Sequence, residues 1–161
     1  MSALRVGNGF DVHAFCDGRP LILGGIKIDF HKGLAGHSDA DVLIHSIIDS
    51  LLGAAGIGDI GRLFPDSDEK FKDISSLILL GEVFNIFKKR NIKIINTDSV
   101  IVCERPKISP YIIEMQNIIS HTLGNEVLPQ SIGIKGTTAE RLGFIGREEG
   151  IAVYTVSLIE L

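Results

Sequence analysis

Residues 37–53 read HSDADVLIHSIIDSLLG, and here the spacing of apolar residues changes from strand-like to helical. From Ser38, with Asp39 and Asp41 in the first turn, Val42, Leu43, Ser46, Ile47, Ser50 and Leu51 recur at three- and four-residue intervals until Gly53. That repeat predicts one helix face turned to a core. Upstream, residues 4–10 and 21–30 are short β-branched runs separated by the turn-rich segment 16–20, and they are predicted to form the two strands of a hairpin. Downstream, residues 56–68, GIGDIGRLFPDSD, hold too much Gly, Pro and Asp for a regular element and are expected to form a long surface loop.

Residues 75–91 place Leu77, Leu80, Val83, Phe84 and Phe87 on one face and end in Lys88, Lys89 and Arg90, where cations complement the helix dipole. Residues 93–104 are strand-like, and Ser109 with Pro110 fits an N-cap and first helical position for a third helix ending near Gly124. Two last strands, 131–135 and 151–161, flank a Gly-Thr-Thr turn and a short helical piece around Glu140. The order β-β-α-α-β-α-β-β predicts an α+β two-layer sandwich, one mixed, mostly antiparallel sheet with helices on one face. Val100, Ile101 and Val102, like residues 152–156, are apolar at both parities, so another subunit is expected on the opposite face.

No repeat, low-complexity segment or Pro/Ser linker divides the 161 residues, and residues 1–161 are read as a single domain. A hydrophobic content of 45% with 22% charged residues is that of an ordinary soluble globular protein. The net charge of −4 argues against a nucleic-acid partner, while a local cluster of cations and backbone donors can still hold an anionic ligand. Cys16 and Cys103 match no metal-ribbon or Cys-x-x-Cys spacing and read as reduced thiols of a cytoplasmic protein. The opening residues 1–9 are short and interrupted by Arg5, so no signal peptide is expected. No apolar run approaches the ~20 residues that cross a bilayer.

In GFDVHA (residues 9–14), Asp11 and His13 lie two apart on a predicted strand, so they project to one face while Val12 turns into the core. A carboxylate and an imidazole suit a divalent ion such as zinc, and a catalytic site needs a third ligand and an open position. His37 and His45 are the alternatives, because His31 stands at a Lys-Gly turn and His121 ends a helix. His45 lies four residues after Asp41 and four before Asp49, so a neighbouring carboxylate can orient its imidazole. His37 precedes the helix, beside N–H groups better suited to an anion. In the 56–68 loop, Gly61 permits close backbone approach, and Asp66 and Asp68 offer hard oxygen ligands or hydroxyl acceptors. Thr137 and Thr138 can present hydroxyls and amides to phosphate, and Glu140 beside such a phosphate calls for an intervening cation such as magnesium. In ERPKISP (residues 104–110), Lys107 follows a Pro-fixed bend. On spacing alone the plainer readings stay open: a surface ion pair for Asp-x-His, a solvated turn for the loop, helix capping for the threonines.

Four segments in order, GFDVH, HSDADV followed by LIH, LLGAAGIGDIGRLFPDSD, and TTAERLGFIGREEGI, carry a resemblance that covers essentially the whole chain. The sequence resembles the 2-C-methyl-D-erythritol 2,4-cyclodiphosphate synthases of the non-mevalonate isoprenoid pathway. The resemblance implies an intramolecular reaction: the 2-phosphate of 4-diphosphocytidyl-2-C-methyl-D-erythritol 2-phosphate attacks the β-phosphorus of its own diphosphate, and CMP leaves. It implies zinc, or another divalent transition metal, on Asp11, His13 and His45, with Asp11 and His13 also touching substrate. Magnesium or manganese would bridge the substrate phosphates with Glu140 among its partners. His37 and Thr138 would be the catalytic residues, positioning the phosphates and stabilising the transition state. Ser38, Asp59, Ile60 and Gly61, then Phe64, Pro65, Asp66, Ser67 and Asp68, would line the erythritol side. Cys103, Glu104, Arg105, Pro106, Lys107, Ile108 and Ser109 would surround cytidine together with Thr137. Ala139, Phe144 and Arg147 follow from the closing motif, and Arg147 alternatively faces a trimer axis and binds an anion.

The same resemblance implies a homotrimer whose sheets pack around a threefold axis, with active sites between subunits and room for an isoprenoid diphosphate in the central cavity. Ser67 and Ala139 stand where relatives also use Thr, and neither removes a metal ligand. Three rivals differ in kind: a sensor of isoprenoid diphosphates, a fragment of a fusion with a cytidylyltransferase, for which the chain is too short, and a phosphohydrolase that activates water on its metal.

Overall fold

The computed structural model describes residues 3–65 and 67–161. In chain order its elements are β1 (Leu4–Cys16), β2 (Leu21–Leu23), β3 (Ile26–Ile28), β4 (Gly33–Leu34), α1 (Val42–Ala55), α2 (Ile60–Leu63), α3 (Ser76–Lys89), β5 (Lys93–Val102), α4 (Ile112–Thr122), β6 (Ile132–Thr137), α5 (Gly143–Gly146) and β7 (Gly150–Glu160). Five strands form one sheet in the order β4-β1-β7-β5-β6. Only β5 and β6 run parallel; every other pairing in that sheet is antiparallel.

The expected hairpin between residues 4–10 and 21–30 does not form. β1 runs on to Cys16 and pairs along its length with β7. Gly24 and Gly25 hold positive φ and make a turn of their own, which folds 21–30 back on itself as the separate β2–β3 pair. The Gly24 and Gly25 amides donate to the Asp41 carboxylate at 2.9 and 2.6 Å, and so do Leu43 and Ile44 at the start of α1. Asp41 is therefore the N-cap, and the helix begins at Val42 instead of Ser38. Inside the 56–68 segment α2 adds one turn, capped by Asp59, which accepts from Arg62 N at 2.9 Å.

α1 lies across β1 and β7, α4 against β6, and α3 beside α1 and α4. The core between helices and sheet is built of fully buried Leu43, Ile44, Ile47, Leu51, Leu80, Phe87 and Ile119 with Val153 and Ile159. Alternation along β1 decides how closely α1 can approach. Gly7 and Gly9 face the helix, and a Cβ on either would lie 2.1 Å from Ser50 O or 2.0 Å from Ser46 O, well inside van der Waals contact. Their bareness lets the helix backbone rest on the strand, and small hydroxyls fill the remaining gap: Ser46 Oγ donates to Thr155 Oγ1 at 2.9 Å, and Ser50 pairs with Ser157 at 2.5 Å. The same approach brings the first turn of α1 beside the next helix-facing residues of β1, Asp11 and His13.

The opposite face of the sheet carries Leu4, Val6, Phe10, Val12, Tyr154 and Val156, all exposed, with the Phe10 and Tyr154 rings 4.6 Å apart. Val12, expected in the core, is 40% exposed there, because the core face of β1 belongs to its glycines and to Asp11 and His13.

Candidate active site

Asp11 and His13 reach the site from β1 and His45 from α1. Asp11 Oδ2 lies 3.0 Å from His13 Nε2 and 3.1 Å from His45 Nδ1, and the two imidazole nitrogens are 3.3 Å apart. A tetrahedral ion with ligands at about 2.0–2.1 Å has edges of about 3.3–3.4 Å, so the three donor atoms outline one face of such a polyhedron. Among the described residues this is the one group of acidic, His or Cys side chains drawn together in that way. The donor set of one carboxylate and two imidazoles fits zinc or a similar divalent transition metal.

The far end of each ligand is tied. Asp11 Oδ1 accepts from Val12 N at 2.9 Å. His13 Nδ1 donates to Ala35 O at 2.5 Å, which leaves the Nε2 lone pair able to face a metal ion. His45 Nε2 lies 2.9 Å from Ser76 Oγ and 3.1 Å from Ser38 Oγ. Neither Asp41, consumed as the α1 cap, nor Asp49, which accepts from Ile60 N at 2.8 Å, is the partner that orients His45. Burial works to raise the Asp11 pKa, but hydrogen bonds and charge from His13 and His45 outweigh it and hold the carboxyl well below the usual range. Burial likewise works to lower the His13 pKa, and the Asp11 carboxylate overrides it, leaving the imidazole more basic than usual.

This cluster opens into a cavity of about 250 Å³ lined also by Gly36, His37, Ser38, Asp49, Ile60, Gly61 and Phe64. His37 Nε2 is buried there with no hydrogen-bond partner, an orphan that calls for a ligand atom. Burial raises the Asp49 pKa, and Asp49 was legible in the sequence only as a neighbour of His45. Of the other residues expected on this side, Asp59 caps α2, Pro65 and Ser67 lie in the loop after it, and Asp68 caps the next turn and pairs with Lys70 at 2.8 Å. Asp66 lies outside the described residues.

The remaining expected residues gather elsewhere. Cys103, Glu104, Pro106, Lys107, Ile108, Ser109, Thr137 and Thr138 line a second cavity of about 460 Å³ at the ends of β5 and β6, and Arg105 beside them approaches Glu148 at 3.9 Å. Burial and then the Glu104 charge push the Cys103 thiol up to about 11. Glu140 stands in a turn, not a helix: Glu140 and Arg141 hold positive φ, and Glu104 draws that turn shut by accepting from Ala139 N and Arg141 N at 3.0 Å. Thr138 Oγ1 donates to Glu140 Oε1. Phe144 is exposed on α5, and Arg147 pairs with Glu149 at 2.7 Å beside a third cavity.

Strand register measures how far apart these groups are. Val12 pairs with Ala152, Ala152 with Val102, and Val102 with Thr137. Three interstrand steps of about 4.8 Å separate the ends of that row by about 14 Å.

The sequence model described as the YgbB family matches residues 4–160. A curated relative from Caldicellulosiruptor bescii, named 2-C-methyl-D-erythritol 2,4-cyclodiphosphate synthase, is 59% identical over 96% of this chain and 98% of its own length. One of the same name from Pelotomaculum thermopropionicum is 53% identical over 97% and 95%. The solved structure of the bifunctional IspDF from Campylobacter jejuni superposes at a TM-score of 0.93 with 44% identity, covering 99% of this chain but 43% of that one. The CDP complex of IspF from Plasmodium falciparum superposes at 0.84 with 35% identity, over 98% of this chain and 96% of that chain.

Proposed function

The chain belongs to the YgbB family across residues 4–160, and on that premise we propose that it converts 4-diphosphocytidyl-2-C-methyl-D-erythritol 2-phosphate to 2-C-methyl-D-erythritol 2,4-cyclodiphosphate. It is a cyclodiphosphate synthase, a lyase of isoprenoid biosynthesis. A 2-phosphate oxygen forms a bond to the β-phosphorus, the bond from that phosphorus to the oxygen bridging the diphosphate breaks, and CMP departs with the bridging oxygen. No protein nucleophile is needed. The obstacle is the repulsion between two anionic groups that must be held in line.

Asp11, His13 and His45 would hold a divalent ion, zinc or another transition metal, and Glu140 would be among the partners of a magnesium or manganese ion. Bound there, such cations act as Lewis acids on phosphoryl oxygens, an effect of several kcal/mol. His37, with its buried and unpartnered Nε2, fixes a phosphate oxygen, and Thr138 brings its hydroxyl to the same diphosphate. Ser38, Asp59 to Gly61, Phe64, Pro65 and Ser67 to Asp68 face the erythritol, and Asp66 is assigned with them. Residues 103–109 with Thr137 hold cytidine, supported by the 460 Å³ cavity that all of them except Arg105 border, and Ala139 is assigned to the substrate beside them.

One complete site draws on two chains. The roughly 14 Å between the halves within one protomer supports pairing the β1 end of one with the β6 end of another, and the apolar bare face supports a homotrimer with its sheets around a threefold axis. Phe144 and Arg147 are assigned to the substrate, and Arg147 alternatively faces that axis, where its cation would meet an isoprenoid diphosphate. Residues 1–161 act as a single domain, supported by one contiguous core cluster. Among the described residues no helix is long and apolar enough to cross a membrane, and the two free thiols fit the cytoplasm.

The observation that carries this reading is the trio of donor atoms within 3.3 Å of one another on β1 and α1. Purified protein supplied with Zn²⁺ and Mg²⁺ should turn the substrate into CMP and a cyclic diphosphate, followed by ³¹P NMR. Release of free phosphate without any cyclic species would overturn the reading in favour of a hydrolase.

A further inference from the structure

We propose that Ser76 and Asp39 are positioning residues that fix the tautomer of His45 and thereby set the affinity of the metal centre; the inference rests on the metal reading given above. Ser76 opens α3 and its side chain is fully buried. Its hydroxyl meets His45 Nε2 at 2.9 Å on one side and donates to Asp39 Oδ1 on the other. Asp39 Oδ2 accepts from Ser76 N at 2.9 Å, and Oδ1 also receives Asp41 N at 3.2 Å.

The direction of this chain follows from proton counting. A carboxylate ringed by these donors only accepts, so the single Ser76 hydroxyl proton points at Asp39. Ser76 Oγ can then only accept from His45, which holds an imidazole proton on Nε2 against the pull of the Asp11 carboxylate 3.1 Å from Nδ1. The Nδ1 lone pair is left facing Asp11 and His13, where the ion sits. Ser38 Oγ, 3.1 Å from the same nitrogen, accepts from Ala40 N at 3.2 Å but has no carboxylate to aim its proton, so it imposes no direction.

A plainer role exists for Asp39. Ser75, the N-cap of α3, makes no side-chain cap bond, and Asp39 supplies that cap from another segment through Ser76 N. A cap alone would affect stability and leave the imidazole untouched, which separates the two roles. Asp39→Asn keeps the shape. Two backbone amides that can only donate compete for the one amide oxygen; Ser76 N, at 2.9 Å against 3.2 Å for Asp41 N, claims it, and the amide NH₂ turns toward Ser76 Oγ. The hydroxyl proton then swings to His45 Nε2, and the imidazole proton is driven onto Nδ1, against the metal.

The experiment combines long-range ¹H–¹⁵N spectra of the histidines in metal-free protein at alkaline pH with Co²⁺ uptake followed by its visible absorption. Wild type should show His45 protonated on Nε2 and a tetrahedral Co²⁺ spectrum. Asp39→Asn should move the proton to Nδ1, and both it and Ser76→Ala should weaken Co²⁺ binding roughly 10–100-fold, with unaltered far-UV circular dichroism. An unshifted tautomer in Asp39→Asn, or Co²⁺ affinity equal to wild type in both variants, overturns the proposal and leaves the metal centre standing. Wild type that takes up no Co²⁺ overturns the centre and the proposal together.

Discussion

The two ends of the row from Val12 to Thr137 are built by opposite means. At the β1 end, Asp11, His13 and His45 stand on a long strand and the first turn of a helix, and a backbone or serine partner ties the far side of each one. At the β6 end, the residues run through a turn with positive φ at Glu140 and Arg141, and their polar groups satisfy one another: Thr138 with Glu140, Glu104 with the Ala139 and Arg141 amides. The first arrangement is organised before anything binds. The second holds donors and acceptors that must exchange partners when a ligand arrives, so it is suited to a substrate that comes and goes.

That contrast implies that the ends fail separately. Removing a ligand with His45→Ala should give the largest effect, a loss of metal affinity beyond the ~10–100-fold of an outer partner, and activity at background; CMP affinity, read by calorimetry, should stay near wild type. An equal fall in CMP affinity would break the comparison. Thr138→Ala should cost about 10²-fold in kcat/KM, the scale for one hydrogen-bond donor to a reacting oxygen, with Co²⁺ binding unchanged.

Gly9→Ala should act through packing. Its Cβ would meet Ser46 O at 2.0 Å, pushing α1 away from β1 at a cost of about 3 kcal/mol or more and loosening the metal centre, as denaturant curves and metal titration would show. Gly81→Ala on α3, where an added Cβ would enter open space, should instead stabilise by about 1 kcal/mol.

The smallest effect concerns pH in metal-free protein. The folded-state pKa of His13 is raised above 6.5, so its stabilisation is complete below 6.5 and fades as pH rises through the folded value. That of Asp11 is lowered from 3.8, so its contribution is present above 3.8 and fades as pH falls through the folded value. Denaturation of the apo protein should therefore show a gain between those limits that Asp11→Asn abolishes, and metal affinity should climb on the alkaline side as His13 gives up its proton.

Much of this was legible in the chain. Period 3.6 across Val42 to Leu51 and period 2 along β1 follow from which residues avoid water, and they set Asp11 and His13 on one face and His45 near a helix start. Those same periods did not tell that Gly24 and Gly25 would fold residues 21–30 on themselves, nor that β1 would pair with β7, whose residues lie 136 to 156 positions from their partners. Asp41 and Asp49 had the better sequence spacing for orienting His45, yet Ser76, from a different helix, does it.

The sequence by itself determined the three long helices, the donor types of the candidate site and the family, since side-chain periodicity and identity are local properties. Tertiary structure alone decided which strands pair, that two glycines admit α1 onto β1, and that the residues proposed for metal and for nucleotide occupy opposite ends of one row. These depend on atoms distant in the chain meeting within a few ångströms, and no local spacing encodes such a meeting.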